Sequence, residues 1–86
     1  MLDISVVIPN YNHANYISQA LDAIIQQKPS EIIVVDDAST DNSVEILLKY
    51  QKKYPVLKIF QRPNNNGPIE AFNYGLKHAS KQFIAL

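Results

Sequence analysis

Two adjacent carboxylates, Asp36 and Asp37, close the apolar run Glu31-Ile-Ile-Val-Val35. At the carboxyl end of a strand an ionised carboxylate is an acceptor-only group, suited to hydrogen bonds from a ligand's sugar hydroxyls or ring N–H. Asp37 lies further out and is the better ligand contact, while Asp36 is equally suited to capping the next helix. Tyr11 follows Pro9 and Asn10 directly after an apolar run, so its ring can stand at the mouth of a site and stack on a base, or pack on the following helix. Asn12, Asn15, Ser39 and Asp41 read first as turn and cap residues. The segment Asn64-Asn-Asn-Gly67-Pro68 leads into a helical pattern, and free N–H groups at a helix start favour an anion such as a diphosphate; Gly67 could equally supply only a turn. There is no Gly-rich dinucleotide fingerprint and no P-loop. Asn73, between Phe72 and Leu76, is either solvated or a buried hydrogen-bonding group. His13 and His78 have no partners at metal-ligand or catalytic spacing and read as surface residues.

The elements that would carry these residues alternate. Ile4 to Pro9 and Glu31 to Val35 are continuous β-branched runs of the kind shown by strands covered on both faces. Between them Ile17, Ala20, Leu21, Ile24 and Ile25 fall on one helical face, and that helix should stop before Pro29. Ser39, Thr40 and Asp41 offer N-caps for a second helix that turns Val44, Leu47 and Leu48 inward and ends near Tyr54. Val56 to Gln61 is a third strand and Arg62 to Gly67 a loop. Pro68 opens a third helix with Ile69, Phe72, Leu76 and Ala79 at helical spacing, and Gly75 in its interior predicts a close approach to a neighbouring backbone. Gln82 to Leu86 is a last apolar strand. Such alternation implies an α/β fold, an open parallel sheet with right-handed crossovers and a Rossmann-like plan. The predicted strand order is 3-2-1-4, with two helices on one face and the third on the other. Ligands in such sheets bind beyond the carboxyl ends of the strands, where Pro9 to Asn12, Asp36 to Ser39 and Gln61 to Gly67 converge.

Composition narrows the chemistry. Eight basic and eight acidic residues cancel in 86, leaving no positive excess to drive counterion release from a polyanion, so nucleic acid is not an expected partner. Absence of cysteine removes disulfides, zinc-thiolate sites and thiol nucleophiles. The first apolar run is too short for a signal sequence or a membrane span, and the chain reads as cytoplasmic.

Ser5-Val-Val-Ile-Pro-Asn-Tyr-Asn12, Tyr16-Ile17 with Ala20-Leu21, Glu31-Ile-Ile-Val-Val-Asp-Asp-Ala-Ser-Thr-Asp-Asn-Ser43, and Asn65-x-Gly67 followed by Ala71-x-Asn73-x-Gly75 together resemble the family 2 inverting glycosyltransferases over nearly the whole chain. The resemblance implies the front half of a GT-A fold, which binds a nucleoside-diphosphate sugar, often a uridine one. It further implies that Pro9 and Tyr11 line the base pocket, that Asp37 accepts from the uracil N–H, that Asp36 supports the loop or the ribose, and that Gly67 and Asn73 shape the nucleotide side of the cleft. Phe72 departs from the arginine often found before that asparagine. In relatives an Asp-x-Asp motif that binds Mg2+ or Mn2+ follows the strand matched by Phe83 to Leu86, and the general base lies further on. Residues 1–86 are therefore expected to be the N-terminal part of a longer enzyme that acts on a glycan or lipid-linked acceptor, at the inner face of the membrane when complete. Alone they should hold no metal, be inactive, and self-associate through apolar surface near Phe83 and Leu86. The competing reading is a non-catalytic nucleotide-binding or receiver-like α/β module. In receivers, however, the acidic pair follows the first strand and a separate phosphorylated aspartate ends a later one, whereas here Gln61-Arg62 ends the third.

Overall fold

The computed structural model describes the backbone of residues 2–85 and the side chains of 3–81. The order is β1 (Leu2–Asn10), α1 (Ala14–Gln26), β2 (Pro29–Asp37), α2 (Ser43–Lys53), β3 (Leu57–Arg62), α3 (Pro68–His78) and β4 (Gln82–Ala85). The four strands form one sheet in the order β3-β2-β1-β4, and every pairing is parallel, as the sequence predicts. The apolar surface anticipated at Phe83 and Leu86 lies outside the described side chains.

Successive side chains of a strand point to opposite faces, and that period divides the core in two. Val6, Ile8, Ile32 and Val34 pack with Ile17 and Leu21 of α1 and Leu47 of α2 on one face. Ile33 and Val35 pack with Ala71 of α3 on the other. Both central strands are buried on both sides, which accounts for their unbroken apolar runs.

Four local expectations need correction. The inward stripe of α2 is Ser43, Ile46, Leu47 and Tyr50, while Leu48 is exposed. On α3, Ile69 is 76% exposed and the sheet-facing residues are Ala71 and Gly75. The reason is the closeness of the layers: a Cβ built on Gly75 would lie 2.5 Å from Val7 Cγ1 and 3.2 Å from Val35 Cγ2. Only the smallest side chains fit that seam, so the large apolar residues flank it instead. Pro29 does not merely stop α1; it opens β2, after Lys28 turns the chain with φ 54°. Finally, the residue at the α2 N-cap is Asn42, which makes no side-chain cap bond. Asp41 beside it accepts from the N–H and hydroxyl of Ser43 and from the N–H of Ala14 at 3.0 Å, so one carboxylate joins the starts of α1 and α2. Partial desolvation raises the Asp41 pKa, but these hydrogen bonds outweigh it and the net shift is downward.

A buried carboxylate serves the opposite edge of the sheet. Glu31, 3% exposed, accepts from Ser5 Oγ, from Lys58 Nζ at 2.7 Å, and from the N–H and hydroxyl of Ser80 at 2.6 and 2.9 Å. Burial alone would raise its pKa, but Lys58 and the three hydroxyl and N–H donors outweigh that and hold it at about 2. It ties the turn before β4 to β1, β2 and β3.

Candidate functional site

The same period of two sends the adjacent carboxylates to different places. Asp36, in register with Asn10, lies on the α1/α2 face; Asp37 lies on the α3 face with Ile33 and Val35.

Asp36 is consumed by loop support. It is 2% exposed, its Oδ1 accepts from Asn10 Nδ2 at 2.8 Å and Ser39 Oγ at 2.6 Å, and its Oδ2 accepts from Ser39 N–H at 3.0 Å. Ser39 in turn accepts from the N–H of Asn12 at 2.9 Å. Asn12 Oδ1 receives the N–H groups of Thr40 and Asp41 at 2.7 and 3.2 Å. The loops after β1 and β2 are thereby locked together, with Asn12 and Ala38 making the sharp turns at φ 54° and 64°.

Asp37 was expected further out, yet it is as deeply buried as Asp36, at 2% exposure. Strand β2 extends through it, so it is covered by α3 and the loop ahead of α3. Its Oδ2 accepts the N–H groups of Asn66 at 2.8 Å and Gly67 at 3.1 Å. Gly67 is also a donor to Asn65 Oδ1 at 3.0 Å and has φ 97°, a conformation that glycine alone adopts without strain. Of the N–H groups at the approach to α3, where the sequence suggests a seat for a diphosphate, those of Asn66 and Gly67 are thus taken by Asp37, and Pro68 has none. Asp37 Oδ1 is buried without a hydrogen-bond partner, a state that folded proteins rarely leave unanswered.

Asp37 stands in the wall of a cavity of about 260 Å³ at the carboxyl edge of the sheet, lined by Pro9, Asn10, Tyr11, His13, Asn65, Pro68 and Ala71. Tyr11 is 41% exposed at this cavity and leaves part of its ring accessible. Pro9, Tyr11 and Asp37 are therefore brought together, and Gly67 shapes the loop behind Asp37. Asn73 does not join them: it is exposed and lines a separate shallow pocket with Arg62, Glu70, Tyr74 and Lys77. Two residues beyond Ala71 on a helix of 3.6 residues per turn, it points about 200° away from the sheet-facing stripe. His13, Asn65 and Ala71 line the cavity without having been singled out for it. His13 lacked a sequence partner because its role is to start α1, where its carbonyl accepts from the N–H groups of Tyr16 and Ile17 at 2.9 Å.

Among the described residues no three His, Cys, Asp or Glu side chains could hold a metal ion. Asp36 and Asp37, on opposite faces, cannot chelate one ion together. Among those residues no helix is long and apolar enough to cross a membrane.

This parallel α/β sheet with a cavity at its carboxyl edge is the Rossmann-like front of a GT-A fold, and the model of glycosyl transferase family 2 matches residues 5–86. The chain belongs to that family. It is 41% identical over 88 residues to the poly(ribitol-phosphate) beta-glucosyltransferase of Bacillus spizizenii, covering 96% of this chain and 14% of that protein. It superposes on S. aureus TarS 1–349 in complex with UDP with a TM-score of 0.84 at 36% identity, over 98% of this chain and 27% of that one. A mannosyltransferase from Pyrobaculum calidifontis, in complex with GDP-Man and Mn2+, matches with a TM-score of 0.80 at 31% identity, over 90% of this chain and 24% of that one. The chain thus spans about a quarter or less of these relatives.

Proposed function

We propose that residues 1–86 form the donor-nucleotide half of a longer family 2 glycosyltransferase, which transfers a sugar from a nucleoside-diphosphate sugar, a UDP-sugar foremost, to an acceptor hydroxyl with inversion. The observation that carries this reading is Asp37, a buried carboxylate in the wall of a cavity whose other lining is mainly apolar, with an Oδ1 that makes no hydrogen bond within the protein. An acceptor-only group in such a wall suits a flat ring that offers an N–H and two apolar faces, as uracil does. Tyr11 and Pro9 supply surfaces for the faces of the ring, Asp37 takes the N–H, and the Asp36–Asn10–Ser39 linkage keeps the loop carrying Tyr11 fixed. The higher identity to TarS, in complex with UDP, than to the mannosyltransferase in complex with GDP-Man supports putting uridine first.

Sugar transfer itself needs groups outside these residues: a carboxylate base to deprotonate the acceptor hydroxyl, and a Mg2+ or Mn2+ ion to neutralise charge on the departing diphosphate. The acceptor is a cell-surface glycan or lipid-linked precursor, in line with the similarity to a poly(ribitol-phosphate) beta-glucosyltransferase, and the enzyme works on the cytoplasmic side, where nucleotide sugars are made. Calorimetric titration of the full-length protein with UDP, GDP and ADP tests the reading. UDP should bind most tightly, and equal affinity for all three would reject the uridine assignment.

A further inference from the structure

Asp37 and Arg62 are direct partners in the parallel β2–β3 ladder, so the two side chains rise from the sheet on the same face. Arg62 Nε lies 3.6 Å from Asp37 Oδ1, near enough to compensate its charge and too far for a good hydrogen bond. The guanidinium is held off by its other neighbours: Nη2 is 3.7 Å from Glu70 Oε2, and the group sits 5.5 Å from the centre of the Tyr74 ring. The Arg62 side chain is only 16% exposed, and Nη1, like Asp37 Oδ1, is buried without a hydrogen-bond partner. A carboxylate this deeply buried is strongly disfavoured without a cation nearby. A cation at full hydrogen-bonding distance would, on the other hand, take one of the two lone pairs of Oδ1 and weaken it as an acceptor for a ligand.

Resting on the uridine-site reading above, we infer that Arg62 is a positioning residue. It compensates the Asp37 carboxylate while leaving the buried Oδ1 without a hydrogen bond, so that a ligand's ring N–H which displaces the atoms covering Oδ1 meets a charged acceptor. Arg62 thereby sets nucleotide affinity without touching the nucleotide.

The test is a double-mutant cycle read by calorimetric titration of the full-length protein with UDP. Arg62→Met should weaken UDP binding by roughly ten-fold, the scale of one charge-assisted hydrogen bond, and Arg62→Lys should recover most of it. In an Asp37→Asn background Arg62→Met should change the affinity by less than about two-fold, because its effect passes through the carboxylate. A purely structural role would weaken binding equally in both backgrounds, and that outcome overturns the inference. So does wild-type affinity in Arg62→Met when Asp37→Asn alone is weakened, a result that leaves the uridine site standing. Unchanged UDP binding in Asp37→Asn instead removes the site and the inference with it. Should Arg62→Met fail to fold, Arg62→Gln takes its place in the cycle with the same expectations.

Discussion

Asp36 and Asp37 are neighbours in the chain whose carboxylates leave the sheet on opposite faces, one bonded to Asn10 and Ser39 and the other to the backbone of Asn66 and Gly67. The two can therefore be separated by substitution. Asp36→Ala would strand the Asn10 amide and two donors of Ser39, and a loss of about 2–3 kcal/mol in unfolding free energy is expected from urea denaturation. A loss under about 0.5 kcal/mol would mean that the Asn12 contacts alone hold the two loops.

Gly75→Ala should destabilise the protein although alanine is the better helix former by about 1 kcal/mol. The added methyl would meet Val7 Cγ1 at 2.5 Å, so that Val7, which is fully buried, or α3 itself must shift. Overpacking of this kind typically costs about 1–3 kcal/mol, so the expected net effect is a loss of up to about 2 kcal/mol. An increase in melting temperature would show that α3 is free to lift off the sheet.

Glu31 sets the acid limit of the fold. Its pKa, lowered to about 2 against Lys58, Ser5 and Ser80, is below its unfolded value of 4.5, so its stabilisation is complete above pH 4.5 and is lost as the pH falls through 2. The shift corresponds to about 3 kcal/mol. Urea midpoints recorded from pH 6 down to 2 should fall steeply below 4.5 in the wild type. The slope should be visibly flatter in Glu31→Gln, and parallel curves would assign the acid sensitivity to other carboxylates.

Much of this architecture is legible in the residues themselves. The β-branched runs at Ile4 to Pro9 and Glu31 to Val35 are unbroken because both faces of both strands are covered, and that pattern predicts a central parallel pair. Gly75 announces a close contact for the reason found, with valine side chains rather than a backbone as the neighbour. What local pattern does not carry is register. Nothing in the sequence places Arg62 beside Asp37 or Ser5 beside Glu31, since those pairings are fixed by how β3 and β1 slide against β2. The helical stripes of α2 and α3 were misjudged for a related reason: hydrophobicity predicts large residues at an interface, whereas the seam between α3 and the sheet is narrow enough to require alanine and glycine. Asn73 is assigned to the cleft by the resemblance alone, and the sheet-facing stripe of Ala71 and Gly75 turns it away.

The central claim, that Asp37 receives the ring N–H of the donor nucleotide, is tested most directly by UDP titration of the Asp37→Asn full-length protein. Asparagine keeps the shape, and its one oxygen must stay on the N–H groups of Asn66 and Gly67, so its NH2 replaces the unpaired Oδ1 and presents a donor where the ligand requires an acceptor. UDP affinity should fall by about 10- to 100-fold, the scale of a charge-assisted hydrogen bond of about 1.5–3 kcal/mol, measured at a temperature where circular dichroism shows the variant folded. UDP binding as tight as in the wild type would contradict the account.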